Sequence, residues 1–343
     1  MKFIELFAGI GGFRLGLEKA GHKCVWANEI NEKARGIYEN NFKDKPDSRD
    51  IRTIEPNEIP DSDLLVGGFP CATFSAAGKR TGFSTEDTRG TLFFEICRIA
   101  GAKRIPYIFL ENVKGLLNHD NGRTFGVILS ALDELGYDVQ WECINSKNFG
   151  VPQHRERVFI IGNLRGFPRP KIFPIGKSQS RNISSKFLDK KQARTITARL
   201  RKGVGNTESR IIGSLINQEK GERLDSLDEI CRIFLQEGEK IVMPILTPER
   251  PVKRQNGKRY KNNDEPSHTL TAQDRHGVLI TEKFKSSIRK FTPLECERLQ
   301  GFPDNWTKFY ANGKQVIDSE RYERCGRAVT VNVIYEIAKR FPL

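Results

Sequence analysis

The sequence predicts an α/β fold, a doubly wound sheet joined to a smaller, irregular second domain. Three observations carry this. Short β-rich runs alternate with amphipathic stretches through the first half of the chain, the rhythm of strand and helix packed in layers. Two apolar runs end in residues suited to a ligand crevice: 64–66 runs into Gly67 and Gly68, and 108–110 runs into Glu111. Open α/β sheets hold their ligands outside such carboxyl ends. After Gly162 the rhythm breaks, and 167–266 is rich in Lys, Arg, Gln, Asn and Ser with poor periodicity, so loops are expected there.

The elements follow in order from local pattern. Phe3-Ile4-Glu5-Leu6-Phe7 is a β-rich run that ends in the turn Gly9-Ile10-Gly11-Gly12, and 13–20 continues as a helix. A strand at 24–27 and a helix at 32–42 follow, then a short buried strand at 64–66. A helix at 92–102 leads to a strand at 108–110, and a helix at 124–135 precedes strands at 139–144 and 158–161. In the irregular part, Leu227, Ile230, Ile233 and Phe234 recur at helical spacing within 225–237. The segments 194–199 and 268–273 (Arg-Thr-Ile-Thr-Ala-Arg and His-Thr-Leu-Thr-Ala-Gln) echo each other, and both read as strands leading into basic loops. Pro293 and Leu294 open a helix whose glutamates suit its amino end. A last helix is expected at 331–340, with Ile334, Ile337, Ala338 and Phe341 on one face.

With 343 residues, the chain makes one large or two smaller domains and has ample apolar content for a core. Its 57 Lys and Arg against 43 Asp and Glu give a formal net charge of +14, which favours a polyanionic partner through counterion release. The 7 cysteines include no CxxC pair, which argues against zinc ribbons and thioredoxin-like motifs. No metal is expected, and all cysteines but Cys71 read as small buried hydrophobes of a reducing compartment. No run approaches the length of a membrane span, and Met1 leads straight into a strand without a signal-peptide pattern. The expectation is a cytoplasmic monomer with no membrane partner.

The chemically loaded positions lie at three successive strand ends. Gly68-Phe69-Pro70-Cys71 presents a thiol after a fixed turn, Glu111-Asn112-Val113 presents a carboxyl, and Gln153-His154-Arg155-Glu156-Arg157 presents two cations. In an open sheet, Cys71 and Glu111 face one pocket. Taken singly, each has a plainer reading: Cys71 as a packed turn thiol, Glu111 as the cap of a following turn, Arg155 and Arg157 as an exposed strand end pairing with Glu156. Taken together and in this order, they resemble the cytosine-C5 DNA methyltransferase family, of the bacterial restriction-modification type. The resemblance also rests on Phe7-Ala8-Gly9-Ile10-Gly11-Gly12-Phe13, Phe74-Ser75, Ala77-Gly78-Lys79-Arg80, residues 292–304, and Gly326-Arg327-Ala328-Val329-Thr330-Val331-Asn332-Val333-Ile334. It covers 1–165 and 266–343.

That resemblance implies a mixed sheet of the Rossmann-like, S-adenosylmethionine-dependent methyltransferase type. It implies a catalytic and cofactor-binding domain of 1–165 plus 318–343, to which the last helix returns, and a target-recognition domain of 166–317. Double-stranded DNA is then the partner, the location nucleoid-associated, and S-adenosyl-L-methionine the cofactor. The glycine turn alone is a weak sign of a nucleotide-type ligand at a helix amino end. Arg14 stands where the dinucleotide fingerprint wants its third glycine, which speaks against NAD. In the family pattern Gly9, Gly11 and Gly12 cradle the cofactor and Phe7 stacks on its adenine. Glu29, beside Ile30, takes the ribose hydroxyls, Asp50 and Ile51 meet the adenine, and Pro70, Ala72, Arg327 and Ala328 line the rest. Without the resemblance, Glu29 is as well a solvated strand-end acid and Asp50 a turn residue.

The implied chemistry follows from cytosine itself. Its C5 is a poor nucleophile, and a Cys71 thiolate adding to C6 makes it enamine-like. Glu111 supports the charge that develops at N3, and Arg155 and Arg157 offer cations to the O2 edge, the thiolate and nearby phosphate. A stacked base is out of reach, so the target must be flipped out. Two positions depart from the family: Ala72 stands for the usual Gln, and Arg327 for the usual Asn. Drift, with Arg327 turned toward phosphate, is one account. A pocket, natural or engineered, that accepts a carboxylated S-adenosylmethionine analogue is the other. A DNA-binding relative with impaired catalysis and an RNA-directed relative complete the alternatives.

Overall fold

Parallel strands buried on both faces need continuous apolar runs, and the first half of the chain supplies them. They form β1 (Lys2–Leu6), β2 (Lys23–Asn28), β3 (Leu64–Gly68) and β4 (Tyr107–Val113). Two longer strands, β5 (Tyr137–Asn145) and β6 (Glu156–Leu164), complete a six-stranded sheet in the order β2-β1-β3-β4-β6-β5. Strands β1 to β4 run parallel, while β6 is antiparallel to both β4 and β5, so the sheet is mixed. The computed structural model describes residues 1–69, 92–175, 240–245, 261, 265–271, 276–282 and 285–342. Its helices are α1 (Gly12–Lys19), α2 (Glu32–Phe42), α3 (Leu92–Lys103), α4 (Arg123–Glu134), α5 (Pro293–Leu299), α6 (Asp318–Arg327) and α7 (Val331–Ala338).

The period of two along each strand divides the core between the two faces. Ile4, Leu65 and Ile108 pack with Phe93, Ile96 and Ile99 of α3 and Ile128 and Leu132 of α4. Their neighbours Phe3, Leu64, Val66 and Phe109 pack on the other face with Phe13 and Leu17 of α1, Tyr38 of α2, and Ile334 and Ile337 of α7. Each such side chain, fully buried, contributes about 1.5–3 kcal/mol. The last helix therefore lies against the first. A Cβ at Gly16 would stand 2.7 Å from the Ile334 Cβ, so only glycine allows this approach. The helix ends at Ala338, two residues short of the expected 340.

The second sheet is small and antiparallel, in the order β7-β8-β9, with β7 (Lys240–Ile245), β8 (Gly277–Glu282) and β9 (Lys285–Lys290). Composition pointed to loops through 266, and β7 corrects this. Pro244 obscured it, since proline cannot donate to a ladder, but β7 is an edge strand, where proline is tolerated. The strand expected over 268–273 is also corrected across its described part. Only Ser267 bridges, to Gln153. The groups a ladder would use go elsewhere: Leu270 N–H donates to Gln153 Oε1 at 2.9 Å, and the Thr269 carbonyl meets His276 Nε2 at 2.8 Å. The segment 194–199 and the helix over 225–237 lie outside the described residues.

Residues 292–316 fasten the two sheets together. Helix α5 opens on a capping box, with Glu295 N–H on Thr292 Oγ1 at 3.1 Å and Thr292 N–H on Glu295 Oε2 at 2.8 Å. Glu295 also takes both guanidinium nitrogens of Arg289 from β9. Next to it, the fully buried Glu297 accepts from Asn305 N–H, Thr307 N–H and Arg321 Nη2 at 2.7, 2.9 and 2.9 Å. This fixes Trp306, whose indole N–H donates to the Ile10 carbonyl at 2.9 Å. Phe302, Trp306 and Val316 thus join Ile10, Ile37 and Val331 in one apolar cluster. Among the described residues, no helix is long and apolar enough to cross a membrane.

Arg321→Met should lower unfolding stability by about 3–5 kcal/mol, because it strands a buried carboxylate without its cation. Chemical denaturation measures this, and a change below about 1 kcal/mol would mean that the backbone donors alone hold Glu297.

Candidate active site

The chain leaves β1 toward β2 on one side and returns to β3 on the other, so the crevice of the sheet opens beyond β1 and β3. Strand β1 runs into a turn that only special backbone angles allow. Phe7 has φ +55°, Gly9 +57° and Gly11 +83°. For a bulky residue such as Phe7 this conformation costs on the order of 1–3 kcal/mol, and such strain gathers at ligand sites. A Cβ at Gly11 would stand 2.2 Å from Phe42 Cε2, and one at Gly12 would stand 2.7 Å from Val329 Cγ2. These two glycines let the turn pack closely on Phe42 and Val329, while a Cβ at Gly9 would meet only the Phe7 carbonyl oxygen, at 4.0 Å, which leaves room for a ligand against the backbone there.

Glu29 anchors this cradle to the end of β2. Its Oε2 accepts Gly9 N–H at 2.7 Å and its Oε1 accepts Asn31 N–H at 2.8 Å. Each oxygen keeps a second lone pair, enough for the ribose hydroxyls expected there. Ile30, the next residue, is 62% exposed and offers an apolar face beside them. The structure thus brings Phe7, Gly9, Gly11, Gly12, Glu29 and Ile30 together. Asp50 and Ile51 are engaged otherwise. Asp50 caps the turn Ile51–Thr53 and pairs with Arg52, whose hydrogen bond holds its carboxyl below the usual range, while Ile51 is buried in the core with Ile54 and Ile59.

The reacting groups belong to β3, β4 and β6. Gly68 at the end of β3 pairs in register with Glu111 of β4, and a Cβ there would lie 3.2 Å from Glu111 Oε2. Asn112 Nδ2 donates to the Phe69 carbonyl at 2.9 Å and so fixes the strand exit two residues before Cys71. Asn112 was legible only as part of the motif. Pro70, Cys71 and Ala72 lie outside the described residues. Arg157 Nε is 3.1 Å from Glu111 Oε1, and its Nη1 donates to the Glu156 carbonyl at 2.7 Å. Both partners are largely buried, which strengthens the pair relative to one in water.

The two arginines are not the matched pair that the motif suggested. Arg155 is 3% exposed and spans backbone carbonyls: Leu270 at 2.8 Å, Gly326 at 3.2 Å and Ala328 at 2.8 Å. Burial, then the nearby Arg157, lowers its pKa to about 9, so it stays charged at neutral pH. Two residues that sequence reasoning did not single out complete this support. Gln300 Nε2 donates to the Cys325 carbonyl at 2.7 Å, and Thr330 Oγ1 donates to Gln300 Oε1 at 2.9 Å. Arg327 is exposed, and its guanidinium meets Glu323 of the same helix at 2.8 Å. Ala328 contributes its carbonyl to Arg155. No cluster of His, Cys, Asp or Glu among the described residues could hold a metal ion.

Gly11→Ala should weaken S-adenosylmethionine binding by about tenfold or more, since the methyl group collides with Phe42 and disfavours the positive φ. Calorimetric titration checks this, and unchanged affinity would show that the cofactor does not use this turn.

Residues 1–342 match the family described as C-5 cytosine-specific DNA methylase. Type II methyltransferase M.Bsp6I of Bacillus sp. (strain RFL6) is 34% identical, covering 99% of this chain and 98% of that protein. Type II methyltransferase M.HhaI of Haemophilus parahaemolyticus is 32% identical, covering 98% and 93%. Among solved structures, the S. pombe Dnmt2 methyltransferase superposes with a TM-score of 0.62 at 18% identity, over 98% of this chain and 97% of that one, a likeness of fold. Sheet order, glycine cradle and the Glu111–Arg157 pair agree with the match along the whole chain: the protein belongs to the C-5 cytosine-specific DNA methylase family.

Proposed function

We propose that the protein methylates C5 of cytosine in double-stranded DNA at a specific sequence, on a base flipped out of the duplex. The observation that carries this is the register of Gly68 with Glu111, which starts the Cys71 loop beside the carboxyl group that the chemistry requires. The Cys71 thiolate adds to C6, forming a C–S bond and pushing the ring electrons toward N3. Glu111 donates a proton in a hydrogen bond to N3 and so stabilises the charge there, and Arg157 holds that carboxyl group in place. S-adenosylmethionine supplies the electrophilic methyl group when bound. The enamine-like C5 takes that methyl group as its bond to the sulfonium sulfur breaks, with the demethylated thioether as leaving group; a base then removes the C5 proton, and the C6–S bond breaks to restore the thiolate. Flipping costs a few kcal/mol, which pocket contacts offset.

S-adenosylmethionine is the donor in this reading. The carboxylated analogue draws no support from Arg327, whose guanidinium is 63% exposed and committed to Glu323. Arg155 acts through backbone, since its Nη groups are taken by carbonyls. Residues 166–317 carry target recognition, supported by their basic composition. The protein acts as a cytoplasmic, nucleoid-associated monomer.

Duplex DNA incubated with the protein and S-adenosylmethionine should yield 5-methylcytosine by nucleoside mass spectrometry, and sequencing should place it in one sequence context. Methylation of another base, or scatter without context, would count against the reading. On duplex containing 5-fluorocytosine, wild type should form a denaturation-resistant adduct, because the fluorine cannot leave as a proton does. Cys71→Ser should form none while still binding DNA; an adduct at the wild-type rate would remove Cys71 from the role of nucleophile.

A further inference from the structure

Beneath the cofactor turn lies a polar cluster that the reaction does not use. Glu5 of β1 is 1% exposed, with Oε1 3.3 Å from the Arg14 backbone N–H and Oε2 3.2 Å from the Tyr38 hydroxyl. The guanidinium of Arg14 is occupied elsewhere: Nε on Glu18 at 2.7 Å, and Nη1 on Asp44 at 2.6 Å and Tyr38 at 3.1 Å. Among the described residues no cation sits directly on the Glu5 carboxyl. A buried acid in that position keeps its proton.

The same side chains form the back wall of the turn. Arg14 lies over the Phe42 ring at 4.4 Å and the Tyr38 ring at 5.5 Å. The missing Cβ of Gly11 would stand 2.2 Å from Phe42 and 3.1 Å from Tyr38. We propose that Glu5, as the neutral acid, is a positioning residue that keeps this wall, and with it the cofactor turn, in its binding shape. The inference rests on the reading of that turn as the S-adenosylmethionine site. Ionised Glu5 would be a buried charge next to a guanidinium only one contact away. Arg14 would be drawn from Asp44 and Phe42, and the wall behind Gly11 would open.

The surroundings agree with a protonated acid at neutral pH. The groups around Glu5 are Arg14 and Glu18 from α1, Tyr38 from α2, Asp44 beyond α2 through Arg14, and Cys24 from β2. Burial raises Glu5 to about 8, against the lowering effects of the Arg14 N–H, the Tyr38 hydroxyl and the Arg14 charge. Because the folded value is raised, the stability it contributes is complete below the unfolded value and is lost as pH rises through about 8.

The test is calorimetric titration of S-adenosylmethionine into wild type, Glu5→Gln and Tyr38→Phe across the range around pH 8, with thermal melting of each. Gln keeps the acceptor for Arg14 N–H and remains neutral at every pH. Wild-type affinity should fall by about tenfold as pH rises through this range while Glu5→Gln changes little beyond it; the cofactor's own α-amino group, with a pKa near 8, titrates equally in both. The KM for S-adenosylmethionine should rise with pH while kcat at saturation holds. Tyr38→Phe should move the wild-type midpoint upward, because the lost hydrogen bond favours the ionised form. Melting of wild type should decline relative to Glu5→Gln over the same interval. Glu5→Gln following the wild-type pH curve, or binding about tenfold more weakly at neutral pH while melting normally, overturns the proposal. Should Glu5→Gln not fold, an unmoved midpoint in Tyr38→Phe overturns it. A wild type that binds no S-adenosylmethionine at neutral pH overturns the cofactor reading itself.

Discussion

The architecture depends on how closely β3 approaches β1. Gly67 pairs in register with Leu6, and a Cβ at Gly67 would stand 2.7 Å from the Leu6 carbonyl oxygen. No side chain fits between them, so glycine sets the strand spacing at the point where the chain changes sides. The consequence reaches both halves of the site. The cofactor turn leaves β1 at Phe7, and the chain toward Cys71 leaves β3 after Gly68, so the two start side by side at adjacent strand ends. Glu111 then faces Gly68 across the next pairing.

A sheet edge alone does not complete the pocket. Its far wall comes from residues remote in sequence, joined by buried polar groups as well as by apolar packing. Gln153 donates to the Leu299 carbonyl at 2.8 Å and accepts from Leu270 N–H, and Arg155 reaches Leu270, Gly326 and Ala328. These bonds are made to backbone groups, so they fix chain paths irrespective of the side chains there. They are also costly to break, because a carbonyl or guanidinium left unpaired in the interior keeps its full desolvation penalty. That asymmetry holds the C-terminal motif against the N-terminal half and makes the site a product of the whole chain.

Much of this was legible in the sequence where local pattern and tertiary role coincide. Apolar runs at 64–66 and 108–110 announced buried strands, and Pro293 and Leu294 with the glutamates behind them announced a helix start. Glu111 and the glycine turn were legible because the position of a functional group at a strand end follows from topology. Arg155 and Arg157 show the limit. Alternation along a strand places both on one face, yet one guanidinium is spent on carbonyls from residues 270, 326 and 328 and the other on Glu111. No local signal separates them, since their partners are more than a hundred residues away for one and in a neighbouring strand for the other. Ile51 is similar: its place in the motif suggested a ligand contact, and its side chain fills the core, which leaves its backbone for such a contact.

The excess of basic residues gains meaning from where the acids are. Glu5, Glu295, Glu297 and Glu320 are all buried, and Glu111 is nearly so. They answer internal donors, Arg289, Arg321, Arg324 and Arg157 among them, or a hydroxyl and a backbone N–H in the case of Glu5. Exposed cations such as Lys114, Arg123 and Arg169 have partners that are themselves solvated, and solvated pairs are weak. Such pairs exchange one anion for another at little cost. A phosphate backbone can therefore replace these carboxylates, and release of its own counterions drives the exchange at low salt. Because the buried acids are matched by buried arginines, Arg289, Arg321 and Arg324 among them, the excess of bases behind the formal charge of +14 falls to the remaining side chains.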